Sequence, residues 1–376
     1  MSGILVIGGY GAVGAQVSTT LDEWFPGRVV AAGRRPGGAR LPGTVRRARL
    51  DLADVAGLER LLDAERVAAV VLCVEPADAA VAETCLSRGV HLVDVGASDH
   101  LLRQVEDLAD RATAGGAIAG GATAGGATAG GATAGGATAG GAIAGGATAG
   151  GATAGGATAV LSVGLAPGLT NLLARRAHER VGGAQRIDIT VLLGAGEHHG
   201  ADAVAWTVAR LSLPAAGGSR RCVMPGYGRR TAYPLDFSDQ HSLRRTLGVP
   251  AVTTRMCLDS AFSTTLLAGL RRLSVFRAAR GPLARRLVTA ALSRVHIGGD
   301  GFAVRVDAVN RDRHVALALT GNAQSRATAL VAAHVTRAVL GGELPGGVHH
   351  IDQLPALADL PDRLAAYGIV PHTMPR

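Results

Sequence analysis

The sequence predicts an α/β fold, a Rossmann doubly wound parallel sheet followed by a second α+β domain. Three observations predict it. Residues 4–7 are an apolar run that breaks into glycines at Gly8, Gly9, Gly11 and Gly14 and resumes as a helical pattern over 15–21. Apolar strands then alternate with amphipathic helices as far as residue 112, the pattern of a parallel sheet wound on both faces. Beyond about residue 186 the alternation stops, and strand-like runs follow one another with helices set to one side.

The glycine segment is the strongest single signal. Gly9, Gly11 and Gly14 fit G-x-G-x-x-G between a strand and a helix. There the turn must be tight, backbone must approach a pyrophosphate, and the helix must pack close to the strand. Tyr10, Ala12 and Val13 fill the positions between, and the helix start offers unpaired N–H groups to phosphates. A second strand over 28–33 ends in Arg34 and Arg35, where an NAD site would place an acid for the ribose 2′-hydroxyl. Two guanidiniums suit a 2′-phosphate, so NADP is the expected cofactor, with NAD as the alternative.

A third strand over 46–52 carries Asp51, and a helix spans 55–62. A fourth strand over 68–74 ends at Val74, and a helix follows over 77–88. The fifth, over 91–95, carries Asp94, and a helix follows over 101–112. Ligands bind beyond the C-terminal ends of such strands, which brings Val74 and Asp94 near the cofactor.

Residues 114–158 are nine end-to-end copies of Ala-Gly-Gly-Ala-Thr, with Ile for Thr at 118 and 143. A period of five suits neither helix nor strand, and two glycines in five oppose regular structure. The stretch reads as a low-complexity insertion in a surface loop. A sixth strand of the same sheet follows over 159–164. Pro167 and Gly168 come next, with Pro167 at the start of a helix and Thr170 and Asn171 beside the pocket.

The glycine-rich start, the basic end of strand two, the Val93-Asp94 strand end and the turn Gly164-x-x-Pro167-Gly168-x-x-Asn171 together resemble the saccharopine dehydrogenase-like reductase family. The similarity covers most of the chain outside the repeat. It implies a substrate domain of α+β type, a helix over 325–340 whose tail returns to the nucleotide domain, a closing turn over 342–348, and a homodimer. The expected division is 1–113 for the Rossmann domain, 114–158 for the repeat and 159–182 for the completion of that domain. Residues 183–322 form the substrate and dimerisation domain, and 323–376 the C-terminal return.

Composition narrows the function. The net charge is +9, yet all 38 basic residues are arginine and aromatics make up only 3%, so no nucleic-acid partner is expected. Without lysine no Schiff base forms on the chain, and the Tyr-Lys pair of short-chain-type reductases is missing. Four scattered cysteines and no leader pattern read as a reducing, cytoplasmic setting. Arginines break every apolar run, so membrane insertion is not expected. The basic amphipathic stretch over 266–295 reads as helices with a solvated face.

Hydride transfer asks side chains mainly to hold ring and substrate face to face and to move one proton. Asp94, His198 and His199 are the catalytic candidates, the two histidines following the glycines at 194 and 196; Asp99, His100 and Asp202 lie near them. Paired histidines without a third ligand give no metal site. Arg220, Arg221, Arg229, Arg230, Arg244 and Arg245 are candidates for a substrate carboxylate.

The expected function is an NADP-dependent oxidoreductase acting on a C–N centre of a small amino-acid-derived substrate. The alternatives are a non-catalytic NADP-binding sensor or scaffold, and an enoyl or carbonyl reductase. Shortening the repeat by several copies is expected to leave soluble yield and NADPH binding unchanged, as fluorescence titration of the shortened chain would check.

Overall fold

Strand β1 (Gly3–Ile7) is buried at every position, which is why its sequence is continuously apolar rather than alternating. Its neighbours are β2 (Val29–Gly33) on one side and β4 (Val67–Leu72) on the other, both parallel. The computed structural model describes residues 2–119, 156–197, 207–213, 217–273 and 298–374. With β3 (Arg46–Arg49), β5 (His91–Asp94), β6 (Thr158–Leu161) and β13 (Gly347–His350), the sheet has seven parallel strands. Their order is β13-β6-β5-β4-β1-β2-β3, so the winding reverses between β1 and β4 and opens a crevice at the strand ends there.

Helices α1 (Ala12–Trp24), α2 (Val55–Ala64), α3 (Ala80–Ser87) and α4 (Asp99–Ala119) make the crossovers. Asp54 caps α2 by accepting from the Gly57 amide at 2.8 Å. After β6, a non-helical turn at 166–168 leads into α5 (Thr170–Val181).

The second sheet has the order β14-β12-β11-β7-β10-β9-β8. It is built from β7 (Arg186–Leu193), β8 (Arg220–Met224), β9 (Gly228–Pro234), β10 (Ala251–Leu258), β11 (Gly301–Asn310), β12 (Arg313–Asn322) and β14 (Val370–Thr373). Only the β7–β10 pair is parallel. Helices α6 (Asp239–Thr246), α7 (Ala261–Arg272) and α8 (Gln324–Leu340) accompany these strands. Ile187, Ile189 and Val191 point into one core with Leu172 and Leu173 of α5 and Val331 and Val335 of α8. That shared core joins the two halves. Trp24 on α1 meets His334 edge-on at 4.9 Å, and the Arg337 guanidinium lies 4.6 Å over the Trp24 ring.

The opposite face of the second sheet buries ions. Asp307, fully buried, pairs with Arg305 at 2.8 Å, His314 at 2.8 Å and Arg220 at 3.5 Å. Asp188 pairs with Arg255 at 2.7 Å, Arg220 at 3.1 Å and Arg186 at 3.2 Å. Burial alone would raise the Asp307 carboxyl, but Arg305, Arg220 and His314 hold it below the ordinary range.

Four boundaries differ from those read in the sequence. Helix α4 runs on through Ala119, because the first repeat copy extends an amphipathic helix already formed, and Thr158, the last repeat residue, begins β6. The remaining repeat, 120–155, lies outside the described residues. Pro167 is not at a helix start: residues 166–168 are non-helical and α5 begins at Thr170. Residues 323–376 do not return wholly to the parallel sheet, since β14 pairs with β12 at the edge of the second. Their final segment alternates too briefly to reveal its partner.

Asp307→Ala would strand the buried Arg305 guanidinium without its counter-charge. It is expected to destabilise the fold by about 3–5 kcal/mol, read as a lowered urea midpoint.

Candidate active site at the end of the parallel sheet

The turn from β1 into α1 is shaped by backbone contact. A Cβ on Gly14 would sit 2.2 Å from the Gly8 carbonyl oxygen, so α1 lies directly on the turn. Gly8 has φ +81, where side chains are strained. Gly11 is the N-cap of α1 and is exposed, leaving the amides of Ala12 and Val13 at a helix start with no intrahelical acceptor. Val74 packs over the turn, its methyl 2.5 Å from where a Gly8 Cβ would stand.

Tyr10 faces inward rather than toward the mouth. Its ring edge comes 3.1 Å from a Cβ position on Gly33, and its hydroxyl donates to the Ala31 carbonyl at 2.7 Å and accepts from the Ala48 amide at 3.1 Å. It therefore braces β2 against β3 beneath the next two residues. Those are Arg34 and Arg35, both exposed, and neither has an ion-pair partner among the described residues. Asp51, also exposed, accepts from the Ala53 amide at 3.2 Å in the turn after β3.

Asp94, at the end of β5, is 5% exposed and accepts from the Gly96 amide at 2.7 Å. Burial pushes its carboxyl up to about 6, with Glu75 adding to the rise and the Gly96 hydrogen bond and His350 opposing it. A carboxyl so placed holds or releases a proton near neutrality, as a general acid or base must. The neighbouring Cys73 thiol is pushed up to about 12 by burial and by Asp94, so it stays protonated.

Beside β5, Ser162 follows β6 with φ 58 and is fully buried. Its hydroxyl lies 2.8 Å from His350 Nδ1, and His350 Nε2 lies 2.6 Å from Glu106 on α4. Glu106 also accepts from Arg245 of α6 at 2.8 Å. A chain of hydrogen bonds thus runs from the strand end, through a buried imidazole, to a carboxylate shared with the second half of the molecule. The sequence reading missed Ser162, Glu106 and His350; the polar Ser162 in an otherwise apolar run was the available signal.

Pro167 and Gly168 are buried against this end of the sheet. Thr170 and Asn171 are fully buried and do not line an open pocket. Asn171 accepts from the Gly168 amide at 3.1 Å and donates to Ser242 and Asp352, each at 3.1 Å. Asp99 is bound to Arg103 and Arg245, and His100 is exposed beside Gln104. His198, His199 and Asp202 lie outside the described residues, as do the repeat core and residues 274–295 of the basic stretch.

The glycines before the histidines have a packing role. A Cβ on Gly194 would stand 2.3 Å from the Gly299 carbonyl oxygen. Of the arginines expected to serve a carboxylate, Arg220 is held between Asp188 and Asp307, and Arg245 between Asp99 and Glu106. Arg230 and Arg244 donate to the Asp259 and Val252 carbonyls. Arg221 and Arg229 are exposed. No group that could hold a metal ion and no helix long and apolar enough to cross a membrane occurs among the described residues.

Residues 4–119 match the family model of the saccharopine dehydrogenase NADP binding domain. No curated protein matches the sequence. Among solved structures the chain is similar to C. glutamicum DAP dehydrogenase in complex with DAP, at 13% identity over 97% of this chain and 98% of that one, with TM-score 0.46. It is also similar to an engineered D-amino acid dehydrogenase bound to NADP+, at 14% identity over 97% and 98%, with TM-score 0.45. A monomeric L-threonine 3-dehydrogenase from a metagenome matches at 17% identity over 24% of this chain, with TM-score 0.21, and the match spans 34% of that chain.

Two outcomes follow from the geometry. Gly14→Ala would press a methyl onto backbone that cannot yield, and is expected to cost about 1–3 kcal/mol and to abolish NADPH binding, measured together by melting and fluorescence. Asp94 has its folded pKa raised, so its contribution to stability is full below pH 3.8 and is lost as pH rises through about 6. Asp94→Asn is therefore expected to stabilise the protein by about 3 kcal/mol at pH 8 and not at pH 3.5, as a pH series of melting curves would show.

Proposed function

We propose, from a saccharopine dehydrogenase NADP binding domain over residues 4–119, that this oxidoreductase moves a hydride to or from a C–N centre, imine or secondary amine, of an amino-acid-derived substrate. The observation that carries the cofactor reading is the pair Arg34 and Arg35. They stand exposed and unpaired among the described residues, at the end of β2 and above a turn whose glycines leave backbone bare.

The residues present fit NADP. Gly11, Ala12 and Val13 would face the pyrophosphate, and the two arginines the 2′-phosphate through charge-assisted hydrogen bonds. Val74 would wall the crevice, Asp51 would border it past β3, and Pro167 and Gly168 would border it past β6. When bound, the cofactor supplies or accepts hydride at its nicotinamide ring. The chain itself holds the partners face to face, and its buried walls exclude water. Asp94 holds or takes up a proton at the end of β5, since burial keeps its carboxyl protonated far closer to neutrality than an ordinary aspartate. An imine needs a proton as well as a hydride: its carbon gains hydride while its nitrogen gains a proton.

NADPH is expected to bind more tightly than NADH. Arg34→Ala/Arg35→Ala is expected to remove that preference, weakening NADPH by about 10–100-fold with little effect on NADH. Cofactor fluorescence titrations read both. Equal affinity of the unaltered protein for the two cofactors would overturn the assignment of the arginines. Screening NADPH oxidation against 2-oxo acids mixed with ammonia or amino acids tests the substrate class; turnover confined to simple ketones or enoyl compounds would overturn it.

A further inference from the structure

The second half of the molecule carries an acid-base pair of its own at the start of α6. His241 Nε2 lies 2.6 Å from Asp236 Oδ1, and the two side chains are 30% and 29% exposed. Asp236 also accepts from Gln240 at 2.7 Å and from Arg210 at 3.0 Å. Burial alone would raise its carboxyl, but His241, Gln240 and Arg210 bring it below the ordinary range, so it is an anionic acceptor. An anionic acceptor fixes the proton of the neutral imidazole on Nε2. Nδ1 then carries the lone pair, and it has no partner among the described hydrogen bonds.

The direction of the pair follows from α6. His241 and Arg245 are four residues apart on that helix and share a face. Arg245 lays its end of this face on Asp99 at 3.0 Å and Glu106 at 2.8 Å, on the helix that begins just beyond Asp94. One turn back, the N-terminal half of α6 is fastened to the start of α5. Ser242 accepts from Asn171, which also holds the Gly168 amide. Leu235 and Phe237, on either side of Asp236, pack in a cluster that Ala166 joins. His241 thus lies one turn before the Arg245 clasp, on the helix that Ser242 ties through Asn171 to the 166–168 turn.

We propose that His241, oriented by Asp236, is a catalytic residue of the same crevice, giving a proton to or taking one from the substrate nitrogen at Nδ1. This rests on the NADP-dependent C–N reading above. In the reductive direction, as the imine carbon gains hydride from NADPH, the nitrogen takes the proton of imidazolium Nδ1 and His241 is left neutral. In the oxidative direction Nδ1 takes that proton from the amine as its carbon gives hydride to NADP+. Asp236 stays ionised throughout and holds Nε2–H.

The test uses the full chain with 15N-labelled histidine, His241→Gln to assign its signals, and NADP+ as the probe. His241 is expected to be the Nε2–H tautomer at pH 8, and saturating NADP+ is expected to move its 15N resonances while those of His178 stay in place. Asp236→Asn is expected to relax the tautomer while NADPH affinity changes by less than about twofold. On an imine-forming pair that the protein reduces, His241→Gln is expected to lower kcat by about 10²–10⁴-fold at unchanged NADPH affinity. An unmoved His241 in protein shown by fluorescence to hold NADPH, or an unchanged kcat, would overturn this role and leave the cofactor reading standing. No NADPH binding at all would overturn both.

Discussion

One side-chain amide fastens the three segments on which the site depends. Asn171, with no exposure to solvent, holds the turn before α5 through the Gly168 amide, α6 through Ser242, and the segment after β13 through Asp352. Each contact closes a different boundary of the crevice region. The turn follows β6 of the parallel sheet, α6 carries the second half toward α4, and the C-terminal segment places His350. Inside a protein, losing one such amide leaves several polar partners dry at once, each costing about 1–3 kcal/mol. The arrangement is therefore held far more strongly than any one hydrogen bond would suggest.

Charge is distributed unevenly around that fastening. On the far face of the second sheet, Asp188 and Asp307 sit among arginines as their ion-pair partners. Near the crevice, Asp94 and Asp239 are as deeply buried but meet mainly amides and hydroxyls, and burial raises both. Sequence composition cannot distinguish the two kinds of aspartate. Partners a hundred residues away decide which one anchors the fold and which one carries an exchangeable proton.

The fold was legible wherever structure is local. Continuous burial explains the apolar run of β1, and the glycine spacing and the alternation through α4 appear in the order observed. What escaped reading depends on distant contact. Short strands β13 and β14 carry no periodic signal, and only their pairing with β6 and β12 makes them strands. The site divides the same way. Gly14 and Arg34 are marked by motif and position, whereas Ser162, His350 and Glu106 converge from segments far apart in the chain. Tyr10 shows the limit of motif reading: it occupies a cofactor-motif position but turns inward to brace two strands.

The two strands near the C-terminus also bear on how the polypeptide is made. Strand β13 is the outer member of the parallel sheet, and β14, some twenty residues later, the outer member of the other. A growing chain commonly folds its N-terminal domain while later residues are still being added. Here that order leaves the parallel sheet without its outer strand. Neither sheet is complete, and His350 is not yet present beside Ser162, until residues 347–373 have been synthesised. The last strand of the nucleotide half is therefore added only about twenty residues before the last strand of the second half.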